Sequence, residues 1–191
     1  MDLNALRDRA YKTACEHGFH DAELGNEHYL MLVVTELSEA VEADRKANYC
    51  SSKISYTERY NLFPTEENRF ENEFRGFVKD TVEDEIADAF IRLLDLYGLL
   101  KIDLDEEVFS DDTIQAYAET YQSKSFTESV YYIIGQLASV RYSIKQSSVL
   151  PEMLLLEILG FARHLGIDLF WFIEQKMKYN ELREKMHGKK Y

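Results

Sequence analysis

Apolar residues recur at three- and four-residue intervals along most of the chain, the period of helices that bury one face. Leu3, Leu6, Ala10, Tyr11 and Ala14 share one side of a first predicted helix from Asp2 to His17, with Gly18 as its stop. After a loop from Gly18 to Gly25, Asn26 reads as the N-cap of a second helix running to about Lys46. Its apolar face is Leu30, Val33, Val34, Leu37, Ala40 and Val41, flanked by Glu36 and Glu39. From Ala47 to Phe77 the periodicity breaks down around Pro64, with Thr65-Glu66-Glu67 the start of a short helix. A connection of that length reads as a functional lid or a mobile insertion.

Asp80 with Glu83 three residues later predicts the start of a third helix, which runs to about Leu100. Ile86, Phe90, Leu93, Leu94, Tyr97 and Leu100 face a core, while Glu85, Asp88, Arg92 and Asp95 form a separate polar stripe. Asp105 to Ser123 is weakly helical and acidic, with a second start at Asp111-Asp112-Thr113. Ser125 and Glu128 open an apolar helix through Tyr131, Ile134, Leu137, Ala138 and Tyr142. Pro151 suits the first turn of the next helix, which carries Met153 to Leu165 and stops at Gly166. Asp168 caps a last helix from Leu169 to about Met186, with Gly188 just beyond.

The two halves echo one another. Leu100-Lys101-Ile102-Asp103-Leu104 resembles Leu165-Gly166-Ile167-Asp168-Leu169, and the segment around Glu36 and Glu39 lines up with that around Gln136 and Ser139. One reading is a duplication within a single all-α domain over 1–191. Residues 1–104 would be a catalytic half with an insertion at 47–77, and 105–191 a degenerate half plus a basic end. The other reading is a chance match between apolar helices. Under duplication, Gln136, Ser139, Leu150 and Met153 stand where Glu36, Glu39, Glu85 and Asp88 stand, so the second half carries no metal site.

Composition narrows the class. Two prolines and eight glycines among 191 residues favour helices throughout, and 46% hydrophobic content suffices for one sizeable core. The polar start Met1-Asp2-Leu3-Asn4 is no signal sequence, and no apolar run approaches the roughly 18 residues of a membrane span. The expectation is a cytoplasmic protein with Cys15 and Cys50 as free thiols and no membrane partner. A net charge of −13 argues against nucleic acid as a partner. That charge is uneven: six basic and two acidic residues fall between Lys176 and Tyr191, leaving −17 on the rest.

Two acidic turns then stand out, Glu36-Leu-Ser-Glu39 and Glu85-Ile-Ala-Asp88, each inside an apolar run. Residues three apart share a helix face, so each turn aims two carboxylates the same way. Gathered inward, four carboxylates need a counter-ion, and oxygen-only ligands favour a hard divalent cation such as Mg²⁺. Lys176, Asn180 and Arg183, spaced four and three, share a face of the last predicted helix and suit phosphate oxygens. Arg92 and Asp95 read as a supporting pair beside the acids. Glu184 and His187 make an E-x-x-H, but di-iron bundles use two such motifs, and this one sits in a Lys-rich end. His17, His20, His28 and His164 form no ligand pattern, and Phe170-Trp171-Phe172 reads as core or subunit interface.

The succession Glu36-Leu-Ser-Glu39-Ala40, then Glu85-Ile-Ala-Asp88-Ala89-Phe90-Ile91-Arg92-Leu93-Leu94-Asp95, resembles the two central helices of the all-α nucleoside triphosphate pyrophosphohydrolases, the MazG and dimeric dUTPase superfamily. The close from Lys176 through Asn180, Arg183, Lys189 and Lys190 is similar to the basic ending of MazG-like members and to the Lys/Asn/Arg nucleotide motif of dimeric dUTPases. Gly18-Phe19-His20-Asp21 resembles the lead-in to the second helix of MazG-like members. Two features depart from that pattern: the long segment 47–77, and the region from about Asp105 to Leu159.

The resemblance implies an antiparallel helical bundle and hydrolysis of a nucleoside triphosphate to monophosphate and pyrophosphate, in nucleotide-pool housecleaning. Glu36, Glu39, Glu85 and Asp88 would hold Mg²⁺, with Mn²⁺ as a substitute. Glu36 or Glu39 would orient the attacking water, and Lys176, Asn180 and Arg183 would contact the phosphates. A monomer or a homodimer would serve. The competing expectation is a non-enzymatic helical interaction protein whose acids form a solvated face.

Overall fold

The computed structural model describes residues 2–50, 69–140 and 151–185, and over these the chain is all-α, with no strand. Eight α-helices follow in order: α1 (Leu3–Glu16), α2 (Asn26–Arg45), α3 (Arg69–Phe77), α4 (Val82–Leu100), α5 (Asp111–Glu119), α6 (Phe126–Ser139), α7 (Pro151–His164) and α8 (Leu169–Glu181). A short 3₁₀ turn, Glu106–Phe109, precedes α5. None of the described helices is long and apolar enough to cross a membrane. Cys15 and Cys50 are free thiols.

The organising element is α4. Every residue from Val82 to Ile91 is buried, and so are Leu93 through Tyr97. A helix buried all round, acids included, lies inside a bundle, and α4 is clasped by α2, α1 and α8, with α7 against it as well. The contact with α1 is close because Gly98 has no side chain: a Cβ there would stand 2.4 Å from Tyr11 Cβ. The second half repeats this crossing between α7 and α5, where a Cβ on Gly160 would stand 2.5 Å from Tyr117 Cβ. The helices α4 and α7 also end alike. Lys101 and Gly166 take left-handed backbone, φ 54° and 74°, and the following Ile102 and Ile167 donate their N–H back to Tyr97 and Ala162 at 3.0 and 2.9 Å.

Several termini sit one residue from their predicted places. Gly25, not Asn26, occupies the N-cap of α2 and gives it no side-chain cap. Thr81, not Asp80, caps α4 by accepting from Asp84 N–H. Asp80 is displaced into left-handed backbone, φ 64°, and donates its own N–H to Asp84 Oδ2 at 3.0 Å. Ser110 caps α5 ahead of the predicted acidic start. The Ser125/Glu128 capping box and the Asp168 cap are present as read. The last helix stops at Glu181, short of Met186, so Arg183 lies beyond it. In the segment expected to be irregular, Arg69–Phe77 is helical because Phe70 and Phe74, four apart, give it an apolar side, with Phe74 fully buried. The predicted start at Thr65-Glu66-Glu67, Leu150, His187 and the lysines at 189 and 190 lie outside the described residues.

Candidate metal centre and adjoining pocket

The two acidic turns face each other across the α2–α4 contact. Carboxylate oxygens of Glu36, Glu39 and Glu85 lie within 4.8 Å of one another, with Glu36 and Glu85 buried and Glu39 exposed. A second trio, Asp80, Asp84 and Glu85, has the same closeness and shares Glu85 with the first. Burial, followed by Lys176 acting in the opposite sense and then by neighbouring Asp84, Asp88 and Glu36, leaves the Glu85 carboxyl pushed up to about 9. Burial is the main cause, and the neighbouring carboxylates add to it.

Two cations are built into this acidic cluster. Arg92 donates Nε to Glu36 Oε1 at 3.1 Å, fixing the buried carboxylate from the next turns of α4. Lys176 reaches in from α8, with Nζ 2.8 Å from Asp84 Oδ2 and 3.2 Å from Asp88 Oδ2. Burial works against its charge, but Asp88, Asp84 and Glu85 outweigh that and hold the ammonium well above its ordinary value. Six carboxylates, those of Glu36, Glu39, Asp80, Asp84, Glu85 and Asp88, therefore face three side-chain cations, Arg92, Lys176 and the Lys79 that pairs with Asp80.

A pocket runs from this cluster along α4, lined by Asp88, Arg92 and Asp95 on one side, Thr13 of α1, Phe19 of the following loop, and Asn180 of α8. The Arg92 guanidinium lies over the Phe19 ring, 5.0 Å from its centroid. At the far end His20 Nε2 stands 2.7 Å from Asp95 Oδ1, and its Nδ1 is 3.2 Å from Tyr29 Oη. Burial, opposed by His20 and Arg92, holds the Asp95 carboxyl above the usual range.

The structure thus brings Glu36, Glu39 and Glu85 together and places Asp88 beside them on Lys176. Arg92 serves Glu36, and Asp95 serves His20. Of the three residues predicted to share a helical face, Lys176 and Asn180, four apart in α8, do: Lys176 points into the acids and Asn180 lines the adjoining pocket with Asp88, whereas Arg183 lies past the helix end over Tyr179. Asp84 went unread in the sequence, although its spacing of four from both Asp80 and Asp88 is a visible helical stripe. It is fully buried, and its Oδ1 has no hydrogen-bond partner among the described residues. His20 carried no local ligand pattern, since its partner Asp95 is 75 positions away.

Compared with models of known protein families, with curated proteins and with solved structures, the chain matches none.

Proposed function

We propose that this chain is a divalent-cation-dependent nucleoside triphosphate pyrophosphohydrolase of the MazG-like type. The observation that carries the reading is the convergence of Glu36, Glu39 and Glu85 oxygens within 4.8 Å, with Asp88 of the same acidic group lining the adjoining pocket. The donor set fits a hard divalent cation: it is all oxygen, anionic in excess, and contains a carboxyl that burial and its neighbours keep protonated well above its ordinary range. Glu36, Glu39 and Glu85, with Asp88 adjoining, would hold Mg²⁺ or Mn²⁺. Bound there, the ion supplies charge neutralisation of phosphate oxygens and acidifies water.

The chain's own groups then divide the work. Glu39, the exposed member of the trio, would accept the proton of a water attacking the α-phosphorus. Arg92 holds Glu36 in one orientation. Lys176 sets a buried positive charge against Asp84 and Asp88, opposing the burial that raises the Asp84 carboxyl above its ordinary range. The pocket along α4 has an aromatic wall at Phe19 and polar groups at Arg92, Asp95 and Asn180; at about 40 Å³ it would have to widen to admit a nucleoside. In the second half Gln136, Ser139 and Met153 supply no carboxylate at the matching positions, consistent with an inert copy.

A solvated acidic face, as in a helical interaction protein, accords poorly with Glu36 and Glu85, which are 2% and 4% exposed. The test is a panel of canonical and modified nucleoside triphosphates with Mg²⁺. Monophosphate and pyrophosphate should form from at least one, and Glu39→Gln should abolish the turnover. No cleavage of any, or unchanged turnover in Glu39→Gln, ends the proposal.

A further inference from the structure

The two acidic trios differ in what already neutralises them. Asp80, Asp84 and Glu85 bring oxygens within 4.8 Å of one another, as Glu36, Glu39 and Glu85 do. Two trios joined through one carboxylate resemble a two-ion centre, whose ions stand roughly 3.5–4 Å apart. Their cations are unequal, however. Among the described residues the first trio has Arg92, on Glu36. The second has two lysines, Lys79 on Asp80 and Lys176 on Asp84. Only the first trio is left with charge for a divalent ion to neutralise.

Lys176 stands where an ion of the second trio would. Its Nζ is 2.8 Å from Asp84 Oδ2 and 3.2 Å from Asp88 Oδ2, so one ammonium links carboxylates a helical turn apart on α4. All three side chains are buried. The Phe74 ring, its centroid 5.9 Å from Nζ, covers another side of the ammonium. A plain buried ion pair sets one carboxylate against one cation. Here two meet it, and Glu85, the carboxylate shared with the first trio, lies between them in sequence. Asp84 Oδ2 also accepts the Asp80 N–H at 3.0 Å, whereas the buried Asp84 Oδ1 has no hydrogen-bond partner among the described residues. Leaving such an oxygen bare is costly. A singly charged ammonium thus sits among acids that could hold a divalent ion, and one oxygen goes without a partner.

We propose that the Lys176 ammonium occupies the second cation position of the centre, so that the chain takes a single divalent ion, at Glu36, Glu39 and Glu85. The inference rests on the proposed metal-dependent reading of that trio. Lys176 is a positioning residue: it acts through the acids, holding Asp84 and Asp88 toward α8 so that they recruit no second ion. Expected on phosphate oxygens, it serves instead as a fixed charge that no chelator can remove.

The test is the number of Mn²⁺ ions bound per chain, read from the electron paramagnetic resonance of the free ion as Mn²⁺ alone is titrated into the full chain. The wild type should bind one. Lys176→Met should bind two, and Lys176→Met/Asp84→Asn one again. Asp84→Asn alone leaves Lys176 on Asp88 and should also bind one. Circular dichroism checks folding, and where Lys176→Met does not fold, the wild type and Asp84→Asn decide. Two ions in the wild type, one in a folded Lys176→Met, or none in Asp84→Asn overturns the inference. Triphosphate cleavage by a wild type that holds two ions sinks this inference and spares the enzyme reading. No ion in the wild type but one in Lys176→Met upholds the place of the lysine and sinks the metal reading of the first trio. No ion in either sinks both.

Discussion

Lys176 Nζ lies 2.8 Å from Asp84 Oδ2, with the lysine 4% exposed and the aspartate not exposed at all. The same ammonium reaches Asp88 at 3.2 Å, so one buried cation from α8 ties down two carboxylates of α4. Its distance from Phe74, 5.9 Å to the ring centroid, adds an aromatic face to the enclosure.

Removing that cation should be costly. Lys176→Met leaves two carboxylates without their counter-charge, at a cost of about 3–5 kcal/mol. The deficit should shrink in the double variant Lys176→Met/Asp84→Asn, because one unpaired charge goes with its partner. Urea unfolding of the four proteins gives the coupling directly. Additive losses would mean that the contact contributes nothing to stability.

How much of this could be read from the chain depended on distance along it. The helices and most of their ends were visible because caps and periodicity are local: Ser125/Glu128 and Asp168 act as read. The one-residue shift at α4 came from a choice between adjacent cap formers, Asp80 and Thr81, which the Asp84 carboxylate decided by accepting the Asp80 N–H. Glu36, Glu39 and Glu85 were legible because each pair obeys helical spacing within an apolar run. Asp84 was passed over beside Glu85 although its spacing from Asp80 and Asp88 marks it; both acids are buried, and only the three-dimensional position of Lys176 shows which of them it pairs with. The His20–Asp95 and Arg75–Tyr179 contacts join residues 75 and 104 positions apart, and no local pattern marks such pairs.

The close α1–α4 crossing sets up a contrast between glycines. Gly98→Ala would push a methyl to 2.4 Å from Tyr11 Cβ, and forced separation of two helices should cost about 1–3 kcal/mol. Gly135→Ala, in α6 with nothing within 4 Å of its would-be Cβ, should instead stabilise by about 0.5–1 kcal/mol through helix propensity. Thermal melts of both variants check the sign. A neutral Gly98→Ala would show that α1 and α4 do not meet as closely as described.

Glu157 gives a pH dependence in the second half. Burial raises its carboxyl above the ordinary value of 4.5, against the opposing pull of Tyr121, Tyr132 and Lys124. The Tyr121 hydroxyl donates to Glu157 Oε2 at 2.5 Å. An acid whose folded value is raised contributes stability below its unfolded value and loses it as pH climbs through the folded one. Glu157→Gln keeps a carbonyl for Tyr121 to donate to and cannot ionise. Its melting temperature should match the wild type below pH 4.5 and exceed it progressively above. A difference that does not vary with pH would show that the side chain's charge is not at issue.

Glu85 joins stability to the proposed activity. With its carboxyl pushed up from 4.5 to about 9, the metal-free protein loses stability as pH rises between those two values, because the unfolded chain ionises freely while the folded one does not. Glu85→Gln removes the carboxyl from the contest. Without divalent cation at neutral pH, the variant should melt higher than the wild type, on the order of 5 °C. With Mg²⁺ and a non-hydrolysable triphosphate the order should reverse, since a ligand that binds only the folded state raises the wild type and finds one carboxylate fewer in the variant. Differential scanning calorimetry under the two conditions reads both signs. A variant less stable than the wild type without cation would show that the acids are content as they stand, and that no ion is needed to gather them.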